Sequence, residues 1–197
     1  AVDLANGDPI KDNYCDPIDY EVSRPLAADK TVKGLYSGGS LAAEAGMLIA
    51  EALNLGGLIK EEGYILKTGG YEVVDLGDDV YTQGKPHPMI DPEVRIKKIL
   101  ECAKDPQTGV ILLDCMLGYG CHPDMAGALA PAIREAQEIA KADGRELYFV
   151  ASVCGTRQDP QDYDRAVAEL KECGVLVEES NARAIRLALK LKGIDYK

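Results

Sequence analysis

The chain has 197 residues, 46% of them hydrophobic and 28% charged, enough for one well-buried core. Its net charge of −11 argues against DNA or RNA as a partner, because phosphate backbones are met by clustered Lys and Arg. No apolar run reaches the roughly eighteen residues of a membrane span, and no basic-apolar-small leader pattern opens the chain. It starts at Ala1 without an initiating Met, which points to processing or to a piece of a longer protein. Residues 1–30 contain Pro9, Pro17 and Pro25 together with Asp3, Asp8, Asp12, Asp16 and Asp19 and show no sustained period, the pattern of an extended arm. From Thr31 the chain alternates. Thr31 to Tyr36 reads as a strand, Ser37-Gly38-Gly39-Ser40 as a turn, and the alanine-rich Leu41 to Leu53 as a helix. Residues 54–70, bracketed by Gly56-Gly57 and Gly69-Gly70, read as either a helical turn or a hairpin. A second strand runs from Tyr71 to Leu76, followed by a long loop to Ile90 and a helix start at Asp91-Pro92.

After the helix Pro92–Cys102, the apolar run Val110 to Met116 predicts a buried parallel strand. The turn Leu117-Gly118-Tyr119-Gly120-Cys121-His122-Pro123-Asp124 then leads into a helix over Asp124 to Ala142. A fourth strand, Leu147 to Val153, ends in Cys154-Gly155-Thr156-Arg157-Gln158-Asp159-Pro160, and a helix follows from Gln161 to Cys173. Val175 to Val177 makes a fifth strand, and Ser180 or Asn181 caps a last helix to Lys192. Strands alternating with helices predict an α/β fold, a three-layer flavodoxin-like domain over 31–197 with a parallel five-stranded sheet in the order 2-1-3-4-5. Six cysteines, scattered at 15, 102, 115, 121, 154 and 173 with no CxxC pair, are expected to be reduced thiols of a cytoplasmic protein.

Gly34-Leu35-Tyr36-Ser37-Gly38-Gly39, His87-Pro88-Met89-Ile90-Asp91-Pro92, Leu117-Gly118-Tyr119-Gly120 with His122-Pro123-Asp124, and Val153-Cys154-Gly155-Thr156 with Gln158-Asp159-Pro160 occur in the order of these strands. Together they resemble the carboxyl-terminal domain of FdrA-like proteins, a branch of the succinyl-CoA synthetase (acyl-CoA ligase) superfamily, over residues 32 to about 192. The resemblance implies a CoA-ligase-type domain within a multi-subunit enzyme. CoA or carbamoyl phosphate would be substrates, and the FdrA-like branch brings an association with carbamoyl transfer. No cofactor is assigned. Ligases of the superfamily carry a phosphorylated histidine in a Gly-His-Ala-Gly loop after the fourth strand. Here that loop reads Cys154-Gly155-Thr156-Arg157, so phosphohistidine chemistry is not expected.

The residues themselves point to an anion site. Ser37, Gly38, Gly39 and Ser40 would turn N–H groups and hydroxyls toward a carboxylate or phosphate at a helix start, facing Gly118 and Gly120 across the switch point of the sheet. Gly155, Thr156 and Arg157 would add to it from the next strand end. His122 and His87, the only histidines, both fall in strand-end loops and are the candidate catalytic acid–base groups. Asp114, ending a buried strand, would orient a neighbouring N–H or His122. Cys115, Cys121, His122 and Cys154 match no zinc spacing, and no metal is expected. Two other classes compete with a ligase or transferase. One is a non-catalytic assembly subunit whose loops dock another chain; the other is a thiol- or metal-dependent enzyme.

Overall fold

A computed structural model describes residues 17–58 and 61–196. Its centre is β4 (Thr108–Met116), an apolar strand almost wholly buried on both faces. On one side of it lie β1 (Thr31–Tyr36) and then β3 (Tyr71–Asp75), and on the other β5 (Tyr148–Cys154) and β6 (Leu176–Glu178), all parallel. The sheet order is β2-β3-β1-β4-β5-β6, so the five expected strands stand in the expected order. A sixth strand, β2 (Tyr64–Thr68), corrects the expected count and pairs antiparallel with β3 at the sheet edge. Gly69 and Gly70, both at positive φ (25° and 95°), make the two-residue turn that reverses the chain there, which resolves the helix-or-hairpin alternative as a hairpin.

Helices cover both faces, as right-handed crossovers between parallel strands require. α1 (Gly39–Ala52) and α6 (Asn181–Leu191) pack on one face with Val32, Tyr36, Val110, Leu112 and Val150. α3 (Glu93–Lys104), α4 (Met125–Ala142) and α5 (Tyr163–Glu172) pack on the other with Leu35, Ile111, Leu113, Phe149 and Ala151. A four-residue helix, α2 (Asp79–Thr82), interrupts the long loop after β3. Side chains at Asp124, Asp162 and Ser180 accept from the first-turn N–H groups of α4, α5 and α6.

Of the expected arm, residues 1–16 lie outside the described residues. Residues 17–30 run irregularly over the α1/α6 face, where Ile18 is buried and Tyr20, Val22 and Leu26 pack against the core. Leu26 N donates to Leu191 O at 2.8 Å, and the Lys190 ammonium donates to Ile18 O at 2.9 Å. The five described cysteines are free thiols. No described helix is long and apolar enough to cross a membrane.

Candidate functional site

The carboxyl ends of β3, β1, β4 and β5 carry the loops that the sequence singles out, and a buried charge pair fixes their centre. Asp114, 1% exposed near the end of β4, accepts from Ser37 N (2.9 and 3.1 Å) and from Ser37 Oγ (2.7 Å). Arg95, fully buried on α3, donates to the Asp114 carboxylate at 2.9 Å and to its backbone carbonyl at 2.5 Å. Asp114 thus orients the Ser37 N–H and not His122. Both Ser37 donors are occupied and the residue is buried, so Ser37 anchors the turn and is not itself an open anion contact. Gly39 and Ser40 are the exposed part of the turn, beyond the half-buried Gly38. α1 starts there with no side-chain cap and no acidic residue in its first turn.

Asp75, at the end of β3, sits beside that helix start: a Cβ on Gly39 would fall 2.8 Å from Asp75 Oδ2. Burial pushes the Asp75 carboxyl above its ordinary range. The Gly77 N–H opposes the shift, Asp78 adds to it, His87 opposes it and Asp114 adds to it. A Cβ on Gly77 would fall 2.7 Å from His87 Nε2, 2.9 Å from Ser37 O and 3.1 Å from Asp75 Oδ1. These three polar atoms therefore converge on the space that Gly77 leaves open.

The two histidine loops are joined, because His122 N donates to Met89 O at 2.8 Å. Each imidazole accepts at Nδ1 from the backbone N–H two residues on, His87 from Met89 (3.2 Å) and His122 from Asp124 (3.0 Å). In the neutral rings the proton then sits on Nε2. Gln161, just before α5, grips the same loop. Its Oε1 accepts from Gly118 N at 2.9 Å, and its Nε2 donates to Gly118 O (3.0 Å) and His122 O (3.2 Å). Gly118 and Gly120 have φ of 130° and 85°, which an L side chain rarely adopts. Tyr119 between them is 90% exposed.

The loop after β5 is satisfied from within. Thr156 N donates to Asp159 Oδ2 at 2.5 Å, and Gln158 N donates to Thr156 Oγ1 at 3.1 Å. Arg157 forks onto Asp164 with bonds of 3.0 and 2.8 Å, and Tyr163 lies beside its guanidinium. Of the expected anion contacts, Ser37 has both donors engaged inside the chain, as have the N–H groups of Thr156 and Gly118 and the Nε and Nη2 of Arg157. Gly39, Ser40, Gly120, Gly155, Thr156 and Arg157 are exposed. Asp75, Arg95 and Gln161 are the site residues that sequence reasoning missed.

Burial raises the thiols of Cys121 and Cys154, and neighbouring Asp159 adds to both shifts, so neither is poised as a thiolate. Among the described residues no group of three His, Cys, Asp or Glu side chains is placed to hold a metal ion.

A CoA-ligase family model matches residues 35–191. A protein of Escherichia coli K12 named "Uncharacterized protein YahF" is 35% identical over 184 residues, which cover 86% of this chain and 36% of the relative's length. The chain therefore spans about a third of that relative. The solution structure of the E. coli RcsC carboxyl terminus, with its linker region and phosphoreceiver domain, is 10% identical at a TM-score of 0.38, over 92% of this chain and 53% of that one. That likeness is too loose to carry an argument. The matched span covers every strand-end loop just described, and on it the chain belongs to the CoA-ligase family.

Proposed function

We propose that this chain is the FdrA-like domain of a succinyl-CoA synthetase-related ligase or transferase. It would bind a small acyl, carbamoyl or phosphoryl anion at the start of α1 and work within a multi-subunit enzyme. The observation that carries this reading is the bare start of α1. Its Gly38-Gly39-Ser40 backbone has no side-chain cap, whereas α4, α5 and α6 each supply their own. Uncapped N–H groups and the positive helix end attract an oxyanion. Asp75 beside Gly39, its carboxyl raised by burial, would take up a proton as the oxyanion binds and then donate to it instead of repelling it. His122 Nε2–H is the second donor. His87, facing Ser37 O and Asp75, would position the Asp75 carboxyl. The charge developing on a transferring phosphoryl or carbonyl group would be stabilised by these fixed dipoles.

CoA and carbamoyl phosphate are the substrates this reading favours. A thermal-shift panel of phosphate, carbamoyl phosphate and CoA tests it. A ligand of the folded state at 100 times its dissociation constant adds about 2.7 kcal/mol. Carbamoyl phosphate or CoA should raise Tm, and His122→Ala, with an unchanged melt of its own, should reduce that rise. No rise with any of the three would sink the reading for the chain alone. A second reading, a non-catalytic subunit docking a partner at these loops, is favoured by the Tyr119 ring, which stands 90% exposed at the tip of the glycine loop.

A further inference from the structure

On the α1/α6 face, at the carboxyl end of β5, a cavity of about 370 Å³ opens between Leu41 and Glu44 of α1, Ser152 and Cys154 of β5, and Ser180 and Asn181 at the start of α6. Strand alternation aims Ser152 at it: Val150 packs into the α1/α6 core, while Ala151 and Val153 pack on the opposite face. Ser152 is 3% exposed, and its Oγ has no hydrogen-bond partner. Buried polar groups are satisfied as a rule, so an orphan hydroxyl on a cavity wall marks the place of a group from outside.

The opposite wall is preorganised. Tyr36, fully buried, donates its hydroxyl to Asn181 Oδ1 at 3.0 Å. That bond turns the Asn181 amide nitrogen toward α1, where it donates to Leu41 O at 3.0 Å and to Glu44 Oε2 at 2.7 Å. Asn181 is 6% exposed and both ends of its amide are committed, so the Glu44 carboxylate is held in one orientation at the cavity. The described lining contains two carboxylates, Glu44 and Glu179, and no Lys, Arg or His. The half-charge at the start of α6 is smaller than these two full charges, and Ser180 Oγ already caps it by accepting from Arg183 N.

An acceptor-rich, cation-free pocket with a fixed carboxylate and an unpaired hydroxyl selects a ligand with several donors and a positive charge. We propose that this cavity binds the protonated amino group of a small aliphatic amine, with the Glu44 carboxylate and Ser152 Oγ accepting from the ammonium. The volume lies at the lower end of small-molecule pockets. The inference stands apart from the anion reading: it uses Glu44, Ser152 and Asn181, and it predicts the opposite charge preference.

An amide NMR titration of the full chain at neutral pH tests it, with n-butylamine hydrochloride and sodium butyrate as probes of equal length and opposite charge. Butylamine should give saturable shifts at Ser152, Cys154 and Asn181, and butyrate none there. Glu44→Gln, which keeps the acceptor for Asn181, should weaken butylamine about tenfold, one lost charge-assisted contact. Ser152→Ala should weaken it by a smaller factor with the rest of the spectrum retained. Butyrate binding as well as butylamine would overturn the proposal. So would non-saturating shifts with butylamine, which would leave water as the occupant, or an unchanged butylamine affinity in Glu44→Gln. None of these outcomes bears on phosphate or CoA binding at α1.

Discussion

Replacing Arg95 by Met removes the guanidinium from a site with no access to water. The partner Asp114 keeps its contacts to Ser37 N and Oγ but loses the cation 2.9 Å from its carboxylate while remaining 1% exposed. Breaking one side of a buried pair leaves an uncompensated charge and costs about 3–5 kcal/mol. For a chain of this length that is a fall in Tm of roughly 6–20 °C. Arg95 Nε and Nη1 are themselves buried without partners, so the intact pair adds little net stability and the loss comes from stranding Asp114. Asp114→Asn preserves an acceptor for Ser37. The double variant Arg95→Met/Asp114→Asn should therefore lose less than the sum of the single losses, with a coupling of about 1.5 kcal/mol or more. Urea unfolding followed by circular dichroism measures all three variants. Arg157–Asp164 is an internal control: it is also a close charged pair, but 74% and 66% exposed, and Arg157→Ala should leave the midpoint unmoved. The reasoning fails if Arg95→Met costs under about 1 kcal/mol or if the two substitutions are additive.

Asp75 gives a pH signature. Its folded-state pKa is raised, chiefly by burial, so ionising it opposes folding. That opposition is absent below the ordinary aspartate range and grows as pH rises through the raised value. Asp75→Asn should therefore raise Tm at neutral pH and have a smaller effect near pH 4, where the wild-type carboxyl is itself becoming neutral; an equal effect at both would contradict the assignment. Burial pushes Cys102 up to about 11 and Cys115 up to about 12. Among the described cysteines, iodoacetamide followed by mass mapping should label Cys154 first and reach Cys102 and Cys115 only on unfolding. Early labelling of Cys115 would mean that β4 opens. Gly77→Ala would bring a methyl within 2.7 Å of His87 Nε2 and 2.9 Å of Ser37 O, an overpacking that costs about 1–3 kcal/mol. A urea midpoint equal to the wild type would show that the loop yields freely.

The periodic parts of the fold are legible because the local pattern and the final environment agree. The apolar run of β4 lies between two parallel neighbours, and Asp124 caps α4 in the register that the sequence suggests. β2 is harder to read. Only Leu66 of its residues is fully buried, it sits at a sheet edge, and Lys67 pairs with Glu61 across an exposed face, so neither alternation nor hydrophobicity marks it. The loops were locatable from glycine and histidine, but the residues that brace them come from far along the chain. Arg95 lies in a helix rich in charge, where a guanidinium is normally solvated. One signal was present all the same: Arg95, Ile99 and Cys102 share the helical stripe that faces the sheet, and Asp114 inside an apolar run calls for a cation. Gln161 had no such marker, since its bonds to Gly118 and His122 span 43 and 39 residues.

The backbone bond from Leu26 to Leu191, with the Lys192 ammonium held by the carbonyls of Ala27, Ala28 and Lys30, joins segments some 165 residues apart. During vectorial synthesis the α3, α4 and α5 face can assemble as soon as β5 and α5 have been made. The opposite face has to wait, because Val110, Leu112 and Val150 gain their cover from α6, and Ile18 and Leu26 gain theirs only afterwards. A ribosome paused before Asn181 would thus present a nascent chain with one side of its sheet closed and the other open to chaperones, and the eleven residues of α6 would act as the closing step for that face and for the segment 17–30 at once.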